Sequence, residues 1–198
     1  MEQDQFEPIF TALSEHLQDE NIGHLEIVVC GGAALNVLGL VSRVSHDVDI
    51  VALVKRVDNN QVSLELPSHL DQAIVRAAHR VQKIFDLRDD WLSVQTAALF
   101  THGLPEGLLT RAEARKYGSS LTIHFLSRYD QIHFKLFAAL SSERRSVHVG
   151  DLLALSPSQE EMEHAALWAL KDMPNEFYGP ALKKLLTQIG YKDVSEKI

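Results

Sequence analysis

The chain has 198 residues, 45% of them apolar and 23% charged, an average globular composition that excludes a disordered or fibrous protein. A chain of this length buries about 70% of its unfolded surface without disulfide or metal staples. Nineteen basic residues against 27 acidic ones leave a net charge of −8, which disfavours non-specific nucleic-acid binding as the main activity. The single cysteine, Cys30, the acidic opening over residues 1–7 and the absence of any apolar run near the ~20 residues of a membrane span predict a soluble, cytoplasmic protein with no membrane partner.

In chain order, Phe6, Ile9, Phe10, Leu13 and Leu17 recur at helical spacing and predict an amphipathic helix over 6–17. The β-branched run 25–30 stops at Gly31-Gly32, after which 33–38 suits a helix: strand, glycine turn, helix. Strands follow over 48–54 and 62–66. A long apolar stripe, Leu70, Ala73, Ile74, Ala77, Ala78, Val81, Ile84 and Phe85, predicts a helix capped by Ser68. Residues 86–118 carry repeated turn signals and no clear period, so they read as a loop-rich insertion before a last strand over 121–126.

Everything beyond Tyr129 reads as helix, over 131–140, 150–155, 157–171 and 180–189. Ser156-Pro157-Ser158-Gln159 suggests a capping box, Met173-Pro174 a stop, and Gly190 a left-handed helix end. The expected organisation is an α/β core of mixed sheet and flanking helices over 1–128, with a helical C-terminal part over 129–198 packed on it.

Chemistry concentrates in Val28-Val29-Cys30-Gly31-Gly32 and Arg43-Val44-Ser45-His46-Asp47-Val48-Asp49. Asp47 and Asp49 stand two apart entering a strand, so both carboxylates project from one face about 7 Å apart, close enough to hold one divalent cation. Their mutual repulsion asks for Mg²⁺ or a basic partner. Gly31 and Gly32 let backbone N–H groups approach a phosphate. Each signal alone is weak, because glycine pairs also make plain turns. Together they pair an anion site with its counter-ion.

These residues resemble the nucleotidyltransferase superfamily of the DNA polymerase β type, whose signature is a Gly-Gly or Gly-Ser turn followed by an h-Asp-h-Asp-h strand. The form found here, with residues 130–140, Arg144-Arg145 and 151–155 further on, is similar to the branch of abortive-infection toxin nucleotidyltransferases of type IV toxin–antitoxin systems. The resemblance spans roughly residues 28–155. It implies a nucleotidyltransferase-like fold and Mg²⁺-dependent transfer of a nucleoside monophosphate from a nucleoside triphosphate to an RNA or protein acceptor, with an antitoxin as a further partner. It assigns Asp47 and Asp49 to metal and catalysis, Gly31 and Gly32 to the triphosphate, and Arg43, Ser45 and Lys135 to phosphates. Asp151 joins the nucleotide site.

The residues leave some roles open. Lys135, alone among apolar neighbours, either snorkels to water or is held at a pocket, and Asp151 could instead cap its own helix. The superfamily's third carboxylate is missing from the 121–126 strand, where His124 is a poor Mg²⁺ ligand. Glu65 or Asp151 supplies it, or the site has two carboxylates and is slow or inactive; a second hypothesis is a catalytically silent protein that binds nucleotide or a partner protein. His79, His148 and His164 lack zinc-site spacing. Trp91 and Trp168 read as core, and the short basic patches at 111–116, 144–145 and 183–184 do not make an RNA surface.

Overall fold

A computed structural model describes residues 1–57, 61–100, 103–141, 145–172 and 177–198. The chain divides into two compact units: residues 1–101 with 109–126, and residues 102–108 with 127–198.

The first unit opens with α1 (Phe6–Asp19), β1 (Leu25–Cys30) and α2 (Gly31–Val37), continues through β2 (Val48–Val57), β3 (Gln61–Glu65) and α3 (Gln72–Phe85), and then β4 (Leu92–Ser93) and a 3-10 turn over Gln95–Leu99. The short α4 (Leu108–Arg111) leads into β5 (Glu113–Tyr117) and β6 (Leu121–Phe125). The six strands form one mixed sheet in the order β3-β2-β1-β6-β5, with β4 on β2. β1 runs parallel to β6 and antiparallel to β2. β3 pairs with the far half of β2, from Leu53 onward, while β4 pairs in parallel with its start at Val48 and Asp49.

One sheet face is covered by α1 and α3, as the amphipathic stripes require: Phe6, Phe10 and Leu13 of α1 and Ile74, Ala77 and Val81 of α3 pack with Ile27, Val29, Ile50, Ile123 and Phe125. Ile84, on the predicted stripe, projects past this core and is 61% exposed. The helix begins at Gln72, not at Ser68, because the Asp71 carboxylate accepts from Ala73 N at 2.8 Å and takes the cap.

Among the described residues of 86–118 lie more regular elements than the turn signals suggest: β4, the 3-10 turn, α4 and β5. β5, Glu113-Ala-Arg-Lys-Tyr, is an edge strand exposed over most of its length, so its residues are charged and lack the apolar alternation that marks a half-buried strand.

The second unit holds α5 (Arg128–Ser141), α6 (Arg145–Ala154), α7 (Gln159–Asp172), α8 (Tyr178–Gln188) and α9 (Lys192–Lys197). Trp168 of α7 stacks on Phe134 of α5 at 5.8 Å between centroids, and Phe137 lies against both Trp168 and Tyr178. α7 starts at Gln159, two residues later than a Ser156 cap with Pro157 as first helical residue implies. Ser158 Oγ accepts from Glu161 N and the Glu161 carboxylate accepts from Ser158 N, a reciprocal capping box. Gly190 adopts φ +95 after α8, as expected of a helix end. The Met173-Pro174 stop and Arg144 lie outside the described residues. Among the described residues no helix is long and apolar enough to cross a membrane.

Candidate functional site

β1 delivers the chain to Gly31, which takes φ +73, a left-handed conformation that glycine adopts without penalty. Space is the second constraint. A Cβ on Gly31 would lie 2.5 Å from Asp49 Oδ2, and one on Gly32 would lie 2.6 Å from Ser45 Oγ and 2.9 Å from Arg43 Nη2. The two glycines are thus the floor on which the side chains of Asp49, Ser45 and Arg43 rest.

Asp49 reaches that floor because of a β-bulge. Leu53 pairs with Ile27 and packs on the hydrophobic core. Strict alternation down β2 would then turn Asp49 toward the core as well. The register shifts between Val28, opposite Ala52, and Val29, opposite Ile50, so that Val51 is the extra residue. Val48 and Ile50 become the core residues, and Asp49, opposite Cys30, faces the other side. Asp47 immediately precedes β2, and its carbonyl accepts from Ser45 Oγ at 3.1 Å.

The loop between α2 and β2 is positioned by Asn36. Its side-chain amide donates to the Arg43 carbonyl and its Oδ1 accepts from Arg43 N at 3.3 Å, so the buried Asn36 clamps the backbone at Arg43 from both sides. Ser45, 1% exposed, donates its backbone N–H to Met1 O at 3.0 Å. A cavity of about 590 Å³ opens beside Arg43, lined also by the acidic Glu2 and Asp4 and by Gln3, Asn36, Ser42 and Val44. On the far side of β2, Thr96 Oγ1 donates to Asp49 Oδ1 at 2.9 Å. Neither Asn36 nor Thr96 carries a motif; Thr96 lies 47 residues from its partner.

Gly31, Gly32, Arg43, Ser45, Asp47 and Asp49 therefore gather in the first unit, while Lys135 and Asp151 meet in the second. Lys135 Nζ lies 2.7 Å from Asp151 Oδ2, with both side chains at most 5% exposed. Lys135 does not snorkel to water. Asp151 does not cap its helix: α6 begins at Arg145 and puts Asp151 in its second turn, because Gly150 is absorbed into the helix and does not break it.

The open question of a third carboxylate gains two observations. Glu65 pairs with the core-facing Leu53, on the opposite sheet face from Asp49, and its carboxylate lies 3.6 Å from Lys55. Among the described residues no group of three His, Cys, Asp or Glu side chains is placed to hold a metal ion.

His124 has a different task. With Arg56 it holds Glu26, 7% exposed, on the same sheet face as Asp49: Arg56 Nε and Nη2 donate to the carboxylate at 2.5 and 2.9 Å, and His124 Nε2 lies 3.1 Å away. The Arg56 hydrogen bonds, aided by His124 and opposed by burial, pull Glu26 down to about 2. Trp91 is core, its indole N–H donating to Ala78 O at 3.1 Å.

A family model described as "Nucleotidyltransferase of unknown function (DUF6036)" matches residues 5–176. The chain belongs to this family. The match covers the glycine turn, Arg43, Ser45, Asp47, Asp49 and Thr96 of the first unit, and Lys135 and Asp151 of the second. No curated protein and no solved structure matches the chain.

Proposed function

We propose that the protein transfers a nucleoside monophosphate from a nucleoside triphosphate to an acceptor, with Mg²⁺ held by Asp47 and Asp49. The observation that carries this reading is the seating of Asp49 Oδ2, Ser45 Oγ and the Arg43 guanidinium against Gly31 and Gly32. Carboxylate oxygen, hydroxyl, guanidinium and the glycine backbone meet where a phosphate chain would lie.

The donor set suits the metal. Mg²⁺ takes oxygen ligands and is commonly held by one or two carboxylates together with substrate phosphates. When bound it supplies charge neutralisation to the phosphates and orients them. The chain's own residues do the rest. Arg43 and Ser45 bind non-bridging phosphate oxygens, and the glycine turn seats the triphosphate. An acceptor oxygen then forms its bond to the α-phosphorus as the bond to the β-phosphate oxygen breaks, and pyrophosphate leaves. The family resemblance assigns Lys135 and Asp151 to the nucleotide too; binding would share or break their 2.7 Å ion pair.

A second reading, a silent nucleotidyltransferase that binds nucleotide or a partner protein, is favoured by the lack of a three-carboxylate cluster among the described residues. Incubation with each radiolabelled nucleoside triphosphate and Mg²⁺, with acceptors drawn from cellular RNA and protein, separates the two. Label transfer by the wild type and none by Asp47→Ala supports the enzyme; no transfer by either supports the silent form. The motif likeness to abortive-infection toxins supports a toxin role in the cytoplasm, for which an antitoxin encoded next to this chain and relieving growth arrest is the test.

A further inference from the structure

The segment after α3 is fastened to the aspartate strand at successive points. Trp91, 1% exposed, is anchored to α3, and its carbonyl accepts from Val48 N at 2.6 Å. Ser93 stands opposite Asp49 in the β4–β2 ladder, and Ser93 Oγ accepts from Gln95 N at 3.2 Å, turning the chain into the 3-10 turn. Thr96 then donates to Asp49 Oδ1 at 2.9 Å.

The ladder contacts act on backbone and are open to almost any side chain. The Thr96 contact is different, because it acts on the carboxylate itself. Rotation about the last torsion of an aspartate is broad and nearly two-fold, so the direction of each oxygen is set by what it touches. Oδ1 is taken by the Thr96 hydroxyl, and Oδ2 is the oxygen against Gly31.

We propose that Thr96 is a positioning residue for the metal-binding carboxylate: by holding Oδ1 it presents Oδ2 of Asp49 to a divalent cation at the glycine turn. This rests on the reading of Asp49 as a metal ligand. Groups that orient a metal ligand commonly change metal affinity by about 10- to 100-fold when removed. The buried Trp91 anchor makes the hold rigid, since the hydroxyl rides on a segment tied both to α3 and to β2.

The test uses Mn²⁺ alone as the probe, its free concentration read by electron paramagnetic resonance during titration of the full chain, with the melting temperature of each metal-free variant alongside. Thr96→Val removes the donor at nearly constant shape and is expected to weaken Mn²⁺ binding about tenfold, Thr96→Ser to stay within about twofold of wild type, and Asp49→Asn to lose the site. Thr96→Ala gives the same test at this half-buried position if valine prevents folding. Wild-type affinity in Thr96→Val or Thr96→Ala, with the site lost in Asp49→Asn, overturns the role of Thr96 and leaves Asp49 a ligand. Equal weakening by serine and valine overturns it too, because the methyl group would then be what matters. Equal binding by wild type and Asp49→Asn overturns the metal reading itself.

Discussion

Two of the places where this chain brings charged side chains together are built in opposite ways. In the helical unit, Lys135 and Asp151 form a buried pair at 2.7 Å, each answering the other's charge. In the α/β unit, Asp49 is only partly buried, is held through a neutral hydroxyl, and turns its second oxygen toward a glycine backbone. A closed pair is costly to break, because removing one partner leaves a charge out of water. On the proposed reading, the contrast is between a carboxylate that takes part in cation binding and an ion pair that already forms in the protein alone.

The sharpest way to break the contrast is Lys135→Met. Methionine matches the volume but takes the ammonium from Asp151, so chemical denaturation should show a loss of about 3–5 kcal/mol. Adding Asp151→Leu should return most of it. Recovery failing in the double variant would mean that the pair is not closed on itself.

A smaller effect is expected at the glycine turn. Gly31→Ala puts a Cβ at φ +73, a left-handed conformation costing about 1–2 kcal/mol, and drives it against Asp49 Oδ2. Melting temperature should fall modestly while Mn²⁺ binding is lost, the reverse of the balance expected at Lys135.

The smallest effect belongs to Glu26, a buried carboxylate on the Asp49 face that is held by Arg56 and His124. Its value is lowered from 4.5 to about 2, chiefly by Arg56. A lowered folded-state value means that its stabilisation is present above about pH 4.5 and fades as the pH falls toward 2. Glu26→Gln should cost about 1–2 kcal/mol at pH 7, and the difference from wild type should shrink across that acid window in pH-dependent unfolding.

What the sequence made legible follows from how local each signal is. β1 occupies residues 25–30 as read, and α1 and the positive-φ Gly190 follow from nearby residues alone. The expected mixed sheet with flanking helices and a helical C-terminal part is the observed one. The β-bulge that turns Asp49 off the core was hidden, because buried Val51 looks like any other strand residue until its pairing is known. Thr96 and the Arg56–Glu26–His124 cluster were equally hidden, since each joins residues at least 30 positions apart. The capping alternative for Asp151 falls because its helix begins at Arg145, well before the apolar run 152–155.

The central claim, that Asp47 and Asp49 bind a cation that brings in the nucleotide, is tested most directly by melting temperature. Ligand binding to the folded state alone raises stability by RT ln(1 + [L]/Kd). Nucleoside triphosphates should therefore raise the melting temperature of the wild type with Mg²⁺ and leave it unchanged in EDTA, with no rise under either condition in Asp49→Asn. An equal rise in EDTA, or an undiminished one in Asp49→Asn, would contradict the account.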